Sequence, residues 1–264
     1  MIPKALALII LATIPVSAEP FIVAHRGASV DAPENTLPAF KLAWLQGADA
    51  IEGDFHLTSD GHIVCHHDPD TRKRGQRKVV IAESTLEELR ALDVGAWKGR
   101  QWKGTRIPTL SEVLDTVPEK GEFFLEVKCG PEIVRTLLWD LDNHAIAEDQ
   151  VTIISFQEDV IAALKKTRPT LRANLLRNFK NRLGRTTPTP AAVLKDLAAC
   201  KADGLGTNVW PVVDKNFIKE LHKLGCSHHI WTVDDAAVAR LFLDLGSASI
   251  TTNRPEALRE ELKR

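Results

Sequence analysis

Glu52 and Asp54 stand two residues apart in the segment Ile51-Glu-Gly-Asp-Phe-His-Leu57. In an extended strand, side chains alternate between faces, so both carboxylates point the same way. A third acid, Glu126, closes another apolar run, Glu122-Phe-Phe-Leu-Glu-Val127. Three carboxylates from neighbouring strand ends make an all-oxygen site suited to a hard divalent cation, Mg²⁺ or Ca²⁺, whereas zinc would draw on imidazole or thiolate. The competing explanation is ordinary strand-end ion pairing with Arg26 and Lys128.

His25 and His67 are the matching proton carriers. An imidazole with an unperturbed pKa near ~6.5 holds either protonation state at neutral pH, so a pair flanking one phosphorus can act as general base and general acid. Arg26 and Lys128 would offset charge on the phosphoryl oxygens beside the cation. Asp60-Gly61 is a dipeptide favoured in two-residue hairpins. Counting outward from it pairs Ser59 with His62 and Asp54 with His67, and turns the adjacent His66 to the opposite face.

These residues need a scaffold that brings distant strand ends together, and the hydrophobic pattern supplies one. Strands are expected at 21–24, 50–58, 122–128, 151–156, 171–176, 204–210, 228–233 and 248–252, each followed by a helical stretch. Residues 63–67 add a hairpin partner to the second strand. Thr85/Glu88 and Thr109/Glu112 have the spacing of capping boxes. Eight strand–helix units in this length predict an α/β fold, a closed (β/α)8 TIM barrel, in preference to a doubly wound open sheet. Chemistry in such barrels sits at the C-terminal strand ends, where His25, Arg26, Glu126, Lys128 and Trp231 fall. The loose, basic stretch 69–108 reads as a small insertion on that rim, and 177–190 as a polar, Pro-rich connection.

Composition narrows the class. The chain has 264 residues, 44% of them hydrophobic and 26% charged, enough for one large domain. Residues 1–18 carry Lys4, an apolar run and Val-Ser-Ala before Glu19, the pattern of a cleaved secretory signal. The expected mature domain is therefore 19–264, exported to the periplasm or the medium. No later stretch is long and apolar enough to predict stable membrane insertion. Without Lys4 there remain 33 basic and 35 acidic residues, a balance that argues against nucleic acid as a partner. One basic run, Arg72 to Lys78, could face an anionic substrate or a lipid surface. Cys65, Cys129, Cys200 and Cys226 show no paired spacing and read mainly as small buried residues. Nothing favours a particular oligomeric state.

Taken together, His25-Arg26-Gly27, Ala32-Pro-Glu-Asn-Thr36, Glu52-x-Asp54, Thr58-x-Asp60-Gly61, His67-Asp68, Ile107-Pro-Thr-Leu110, Glu126-Val-Lys128 and Trp231-Thr-Val233 resemble the signature blocks of the glycerophosphodiester phosphodiesterase family. The resemblance runs from about Phe21 to Pro255. It implies a cation-dependent barrel hydrolase that splits a glycerophosphodiester into an alcohol and sn-glycerol 3-phosphate. By position, it implies Glu52, Asp54 and Glu126 as metal ligands, His25 and His67 as the acid/base pair, Arg26 as a phosphate contact, Lys128 beside the metal and Trp231 as an aromatic wall near the glycerol. It also implies a route in which a glycerol hydroxyl attacks first and water opens the cyclic phosphate. Two rivals stand beside it: a phospholipase-like lyase that releases a cyclic phosphate, and an exported protein that binds phosphodiesters without turnover.

Overall fold

The computed structural model describes residues 19–264, and the expected signal segment, 1–18, lies outside the described residues. Eight strands run parallel: β1 (Ile22–His25), β2 (Ala50–Leu57), β4 (Glu122–Val127), β5 (Val151–Ser155), β6 (Arg172–Arg177), β9 (Gly204–Thr207), β10 (Ser227–Ile230) and β11 (Ser249–Thr252). They follow one another around the sheet, and β1 pairs with both β2 and β11, which closes the barrel. The principal crossover helices are α1 (Leu37–Leu45), α4 (Val134–Asp142), α5 (Glu158–Thr167), α6 (Pro190–Cys200), α7 (Lys215–Lys223), α8 (Ala236–Leu245) and α9 (Pro255–Leu262). The predicted eight-fold closure is the observed one.

Period-two alternation divides the strand residues between two apolar regions. Phe123 and Leu125, for example, face outward into the main core between sheet and helices. Val23, Ala50, Phe124, Ile154 and Leu176 face inward and form a separate plug inside the barrel. Two residues further along the same strands, the inward positions become His25, Glu52, Glu126, Phe156 and Asn178. Apart from Phe156, the top layer of the barrel is thus polar because the sequence changes character at one level on several strands.

The hairpin differs from its sequence reading. β3 (Ile63–Cys65) pairs Phe55 with Cys65 and Leu57 with Ile63, one residue out of the expected register. The connection has three residues, Ser59-Asp60-Gly61, closed by Thr58 N–H to His62 O at 2.8 Å, with Gly61 at φ +84°. A three-residue loop ending in a left-handed glycine competes with the two-residue turn, and here it prevails. His66, not His67, therefore lies opposite Asp54, its N–H donating to Asp54 O at 2.8 Å.

The segment after β3 builds a small core of its own from Val64, Ile81, Leu89, Leu92, Val94 and Ile107. Its helix α2 (Leu86–Arg90) and the following α3 (Leu110–Leu114) both start with complete capping boxes, at Thr85/Glu88 and Thr109/Glu112. Asp60 reaches from the hairpin turn to Leu86 N–H at 3.1 Å and ties turn to helix. The sequence reading missed a second hairpin, β7 (Lys180–Arg182) with β8 (Arg185–Thr187), where it expected an irregular connection. All four cysteines are free thiols, and Cys65, Cys200 and Cys226 are buried.

Candidate active site

The inward strand ends meet at the C-terminal mouth. Parallel pairing of β2 with β4 sets Asp54 beside Glu126, and pairing of β1 with β2 sets His25 beside Glu52. One oxygen from each of Glu52, Asp54 and Glu126 lies within 4.8 Å of the others, and all three residues are buried. Among the described residues this is the one cluster of its kind. A mouth cavity of about 200 Å³ is lined by His25, Arg26, Glu52, His67, Glu126 and Lys128 on its charged side. Ile154, Phe156, Leu176 and Trp231 form its apolar wall. All eight residues singled out in the sequence thus line this cavity or, for Asp54, join the cluster at its floor.

Two cations brace the acids. Lys128 Nζ lies 2.6 Å from Glu126 Oε1 and 3.2 Å from Asp54 Oδ1. Arg26 Nε lies 3.2 Å from Asp54 Oδ2, and its backbone N–H donates to Glu52 Oε2 at 2.9 Å. Arg26 takes a left-handed conformation, φ +57°, which a non-glycine residue adopts at an energetic cost. Gly27 follows at φ +78°, and a Cβ there would come within 2.5 Å of the Ala39 carbonyl carbon. Sharp backbone reversal delivers the guanidinium into the mouth.

Three negative charges face two positive ones in a buried space, and the acids respond unequally. Asp54, although burial opposes its charge, is held below the usual carboxylate range by Lys128 and Arg26. Burial, together with Asp54 and Glu126, pushes Glu52 well above that range. Glu126 is pushed up to about 7 by burial and by Asp54. Glu52 Oε1 is also buried without a hydrogen-bond partner. A surplus of buried carboxylate with an orphaned oxygen fits a divalent cation, whose oxygen ligands and added positive charge would answer both.

The histidines have contrasting partners. His25 Nδ1 donates to Asn253 Oδ1 at 2.7 Å, while Asn253 Nδ2 donates to Asp234 Oδ2 at 2.7 Å. Since a carboxylate only accepts, the Asn253 amide is fixed with its oxygen toward His25. Burial and the adjacent Arg26 lower the pKa of His25. His67 Nδ1 instead lies 2.7 Å from Asp68 Oδ1, and Asp68 also binds Lys73 at 2.8 Å. His66 turns away, its Nε2 3.3 Å from Asp70 O. The sequence reading preferred His67 for a register that does not exist. The strand ends at Cys65, so alternation does not extend to either histidine, and the local turn brings His67 into the mouth.

Several residues escaped the sequence reading. Asn35, at φ +58°, donates to Asp54 Oδ2 at 2.8 Å and accepts from Asp54 N–H at 3.1 Å, locking that carboxylate. Glu34 pairs with Arg26 at 3.2 Å and with Arg74 of the insertion at 3.3 Å. Asn253 and Asp234 follow the ends of β11 and β10, and nothing in their spacing discloses the link to His25.

The model of the Glycerophosphoryl diester phosphodiesterase family matches residues 25–257. A glycerophosphodiester phosphodiesterase of Caldanaerobacter subterraneus subsp. tengcongensis is 33% identical over 242 residues, covering 90% of this chain and 95% of that protein. Among solved structures, glycerophosphodiester phosphodiesterase from Agrobacterium tumefaciens has a TM-score of 0.74 at 26% identity, covering 91% of this chain and 99% of that one. An Oleispira antarctica phosphodiesterase, solved in complex with the product sn-glycerol-3-phosphate, has a TM-score of 0.82 at 24% identity, covering 93% of this chain and 97% of that one, a likeness of fold. With a family model spanning nearly the whole barrel and a relative of this identity over nearly its full length, the chain belongs to the glycerophosphoryl diester phosphodiesterase family, enzymes that hydrolyse glycerophosphodiesters.

Proposed function

We propose that this protein is an exported, cation-dependent hydrolase that releases sn-glycerol 3-phosphate and an alcohol from small glycerophosphodiesters, with His25 and His67 as its proton-transfer pair. The observation that carries this reading is one cavity bordered by two differently partnered imidazoles, a cluster of three carboxylates and two cationic side chains. Export rests on the leader-like pattern of residues 1–18.

In this reading Glu52, Asp54 and Glu126 hold Mg²⁺ or Ca²⁺, which supplies charge neutralisation and polarises a phosphoryl oxygen. Arg26 and Lys128 face the remaining phosphoryl oxygens. His25, with its Nδ1 proton committed to Asn253, presents an unprotonated Nε2 and takes the proton of the attacking hydroxyl. His67, whose Nδ1 is engaged by Asp68, gives a proton from Nε2 to the departing alkoxide as its P–O bond breaks. If the glycerol hydroxyl attacks first, His67 then takes a proton from the water that opens the cyclic phosphate, and His25 returns one to the glycerol oxygen. Trp231 and Phe156, packed edge to face at 5.6 Å, give the glycerol carbons an apolar wall.

The test is hydrolysis of several glycerophosphodiesters by the purified protein, with Mg²⁺, with Ca²⁺ and with chelator, reading sn-glycerol 3-phosphate. Release that depends on added cation supports the reading. Turnover undiminished by saturating chelator would defeat it, and accumulation of cyclic phosphate as the final product would favour the lyase.

A further inference from the structure

The β7–β8 hairpin leaves the C-terminal rim at the end of β6, two residues past Asn178, which lines the mouth. Every residue of β7 is exposed, as is the turn Leu183-Gly184. Its base is fixed: Asn208 accepts from Phe179 N–H at 2.7 Å and donates to Phe179 O at 3.0 Å, and Trp210 Nε1 donates to Thr186 at 3.2 Å. Phe179 itself is buried and packs on Phe217 at 5.9 Å. The hairpin is a rigidly rooted projection.

Its tip contradicts folding logic. Leu183 is 96% exposed and sits at φ +52°, in the left-handed region that branched apolar residues avoid. Asparagine or glycine would be the ordinary choice there, and the leucine gains no intramolecular burial in return. Around it stand Lys180, Arg182 and Arg185, all exposed, and no acidic residue occurs from 178 to 195. Phe156 and Val209, at the ends of the neighbouring strands, expose 41% and 43% of their surface on the same rim. Across the mouth, Arg77 and Lys78 of the insertion are exposed as well.

An apolar tip ringed by fixed positive charge, on a protein whose overall charge is near zero, matches a surface with negative headgroups above hydrocarbon. A nucleic acid or an acidic peptide would use the charges but not the leucine. We propose that the β7–β8 hairpin docks the protein on anionic lipid bilayers, Leu183 entering the interface between headgroups while Lys180, Arg182 and Arg185 lie at the phosphate level, with the catalytic mouth turned toward the membrane. The proposal does not rest on the catalytic reading, because binding is measured without turnover.

The test is co-sedimentation of the purified protein with vesicles of phosphatidylcholine alone and with about one-third phosphatidylglycerol, at low and high salt. The expected result is partitioning at least ~10-fold stronger onto the anionic vesicles, weakened by salt. K180E/R182E/R185E should lose ~100-fold, and Leu183→Ser ~5-fold or more, with unchanged circular dichroism and melting temperature as the control for folding. Equal partitioning onto neutral vesicles, or variants that bind like the parent, would overturn the proposal. So would retention on heparin that Leu183→Ser leaves intact without any vesicle binding, which would point to a soluble polyanion instead.

Discussion

Asn253 holds His25 through Nδ1, at 2.7 Å, and is itself held by Asp234 through both its side chain and its backbone N–H. A carboxamide oxygen at that position fixes one tautomer without adding a negative charge. On this geometry, Asn253→Ala should lower kcat by about 10- to 100-fold and leave KM nearly unchanged, the range for partners that orient a functional histidine. His25→Ala and His67→Ala should each cost ~100-fold or more. Steady-state kinetics on a soluble glycerophosphodiester check all three, and near-normal turnover in either histidine variant would remove that residue from the mechanism.

Cation affinity should fall as the medium is acidified. Glu126, raised to about 7, and Glu52, raised well above its ordinary range by burial and its acidic neighbours, bind protons that an entering cation must displace. Below about pH 7 the apparent affinity should weaken by up to about tenfold per pH unit for each proton displaced. Titration calorimetry of Ca²⁺ or Mg²⁺ in buffers of different ionisation enthalpy should register that proton release. Glu126→Gln should abolish it in part and weaken binding.

Cation binding should also stabilise the fold. Ligand at about 100 times its Kd adds roughly 2.7 kcal/mol when only the native state binds. Melting curves with and without chelator read this directly. An Asp54→Asn variant should show a much smaller difference between the two curves.

Gly27→Ala should destabilise the barrel by about 3 kcal/mol, combining a left-handed backbone with a Cβ pressed into the backbone of α1. Urea unfolding measures it. A loss below about 1 kcal/mol would mean that the turn can relax, and with it the placement of Arg26.

His228 should make the protein acid-sensitive. The ring is fully buried on β10 between Thr207 at 3.0 Å and Ser247 at 2.7 Å, and burial lowers its pKa from 6.5 to about 3. The unfolded chain therefore binds the extra proton first. The stability owed to the neutral ring is complete above pH 6.5 and declines as pH falls toward 3, at up to about 1.4 kcal/mol per unit. His228→Gln should be less stable at pH 7 yet flatter between pH 6.5 and 4, by urea midpoints.

The barrel was legible because its signal is repeated: eight apolar runs, each followed by a helical period, leave little freedom of topology. The site was legible where strand periodicity applies, as at Glu52, Asp54 and Glu126. It failed at the turn after Thr58, where two hairpin geometries share one Asp-Gly sequence and differ by a single residue in register. His67 lines the mouth and His66 does not, but the register that favoured His67 is not the one observed. Asn253, Asp234 and Asn35 act through contacts between segments up to 228 residues apart, which no local pattern encodes. The β7–β8 hairpin went unseen because its strands bury no apolar side chain and carry no alternation of apolar and polar residues.

β3 serves two masters. Val64 faces the small core of the insertion, while Ile63 and Cys65 on either side face the barrel. His67 emerges two residues later, so its position is inherited from both bodies at once. An engineer wishing to broaden the substrate range can therefore vary the exposed side chains of Arg72, Gln76, Arg77 and Lys78, but losing Lys73 or Arg74, or shortening the chain between Ile81 and Val94, would loosen what positions His67 and Arg26.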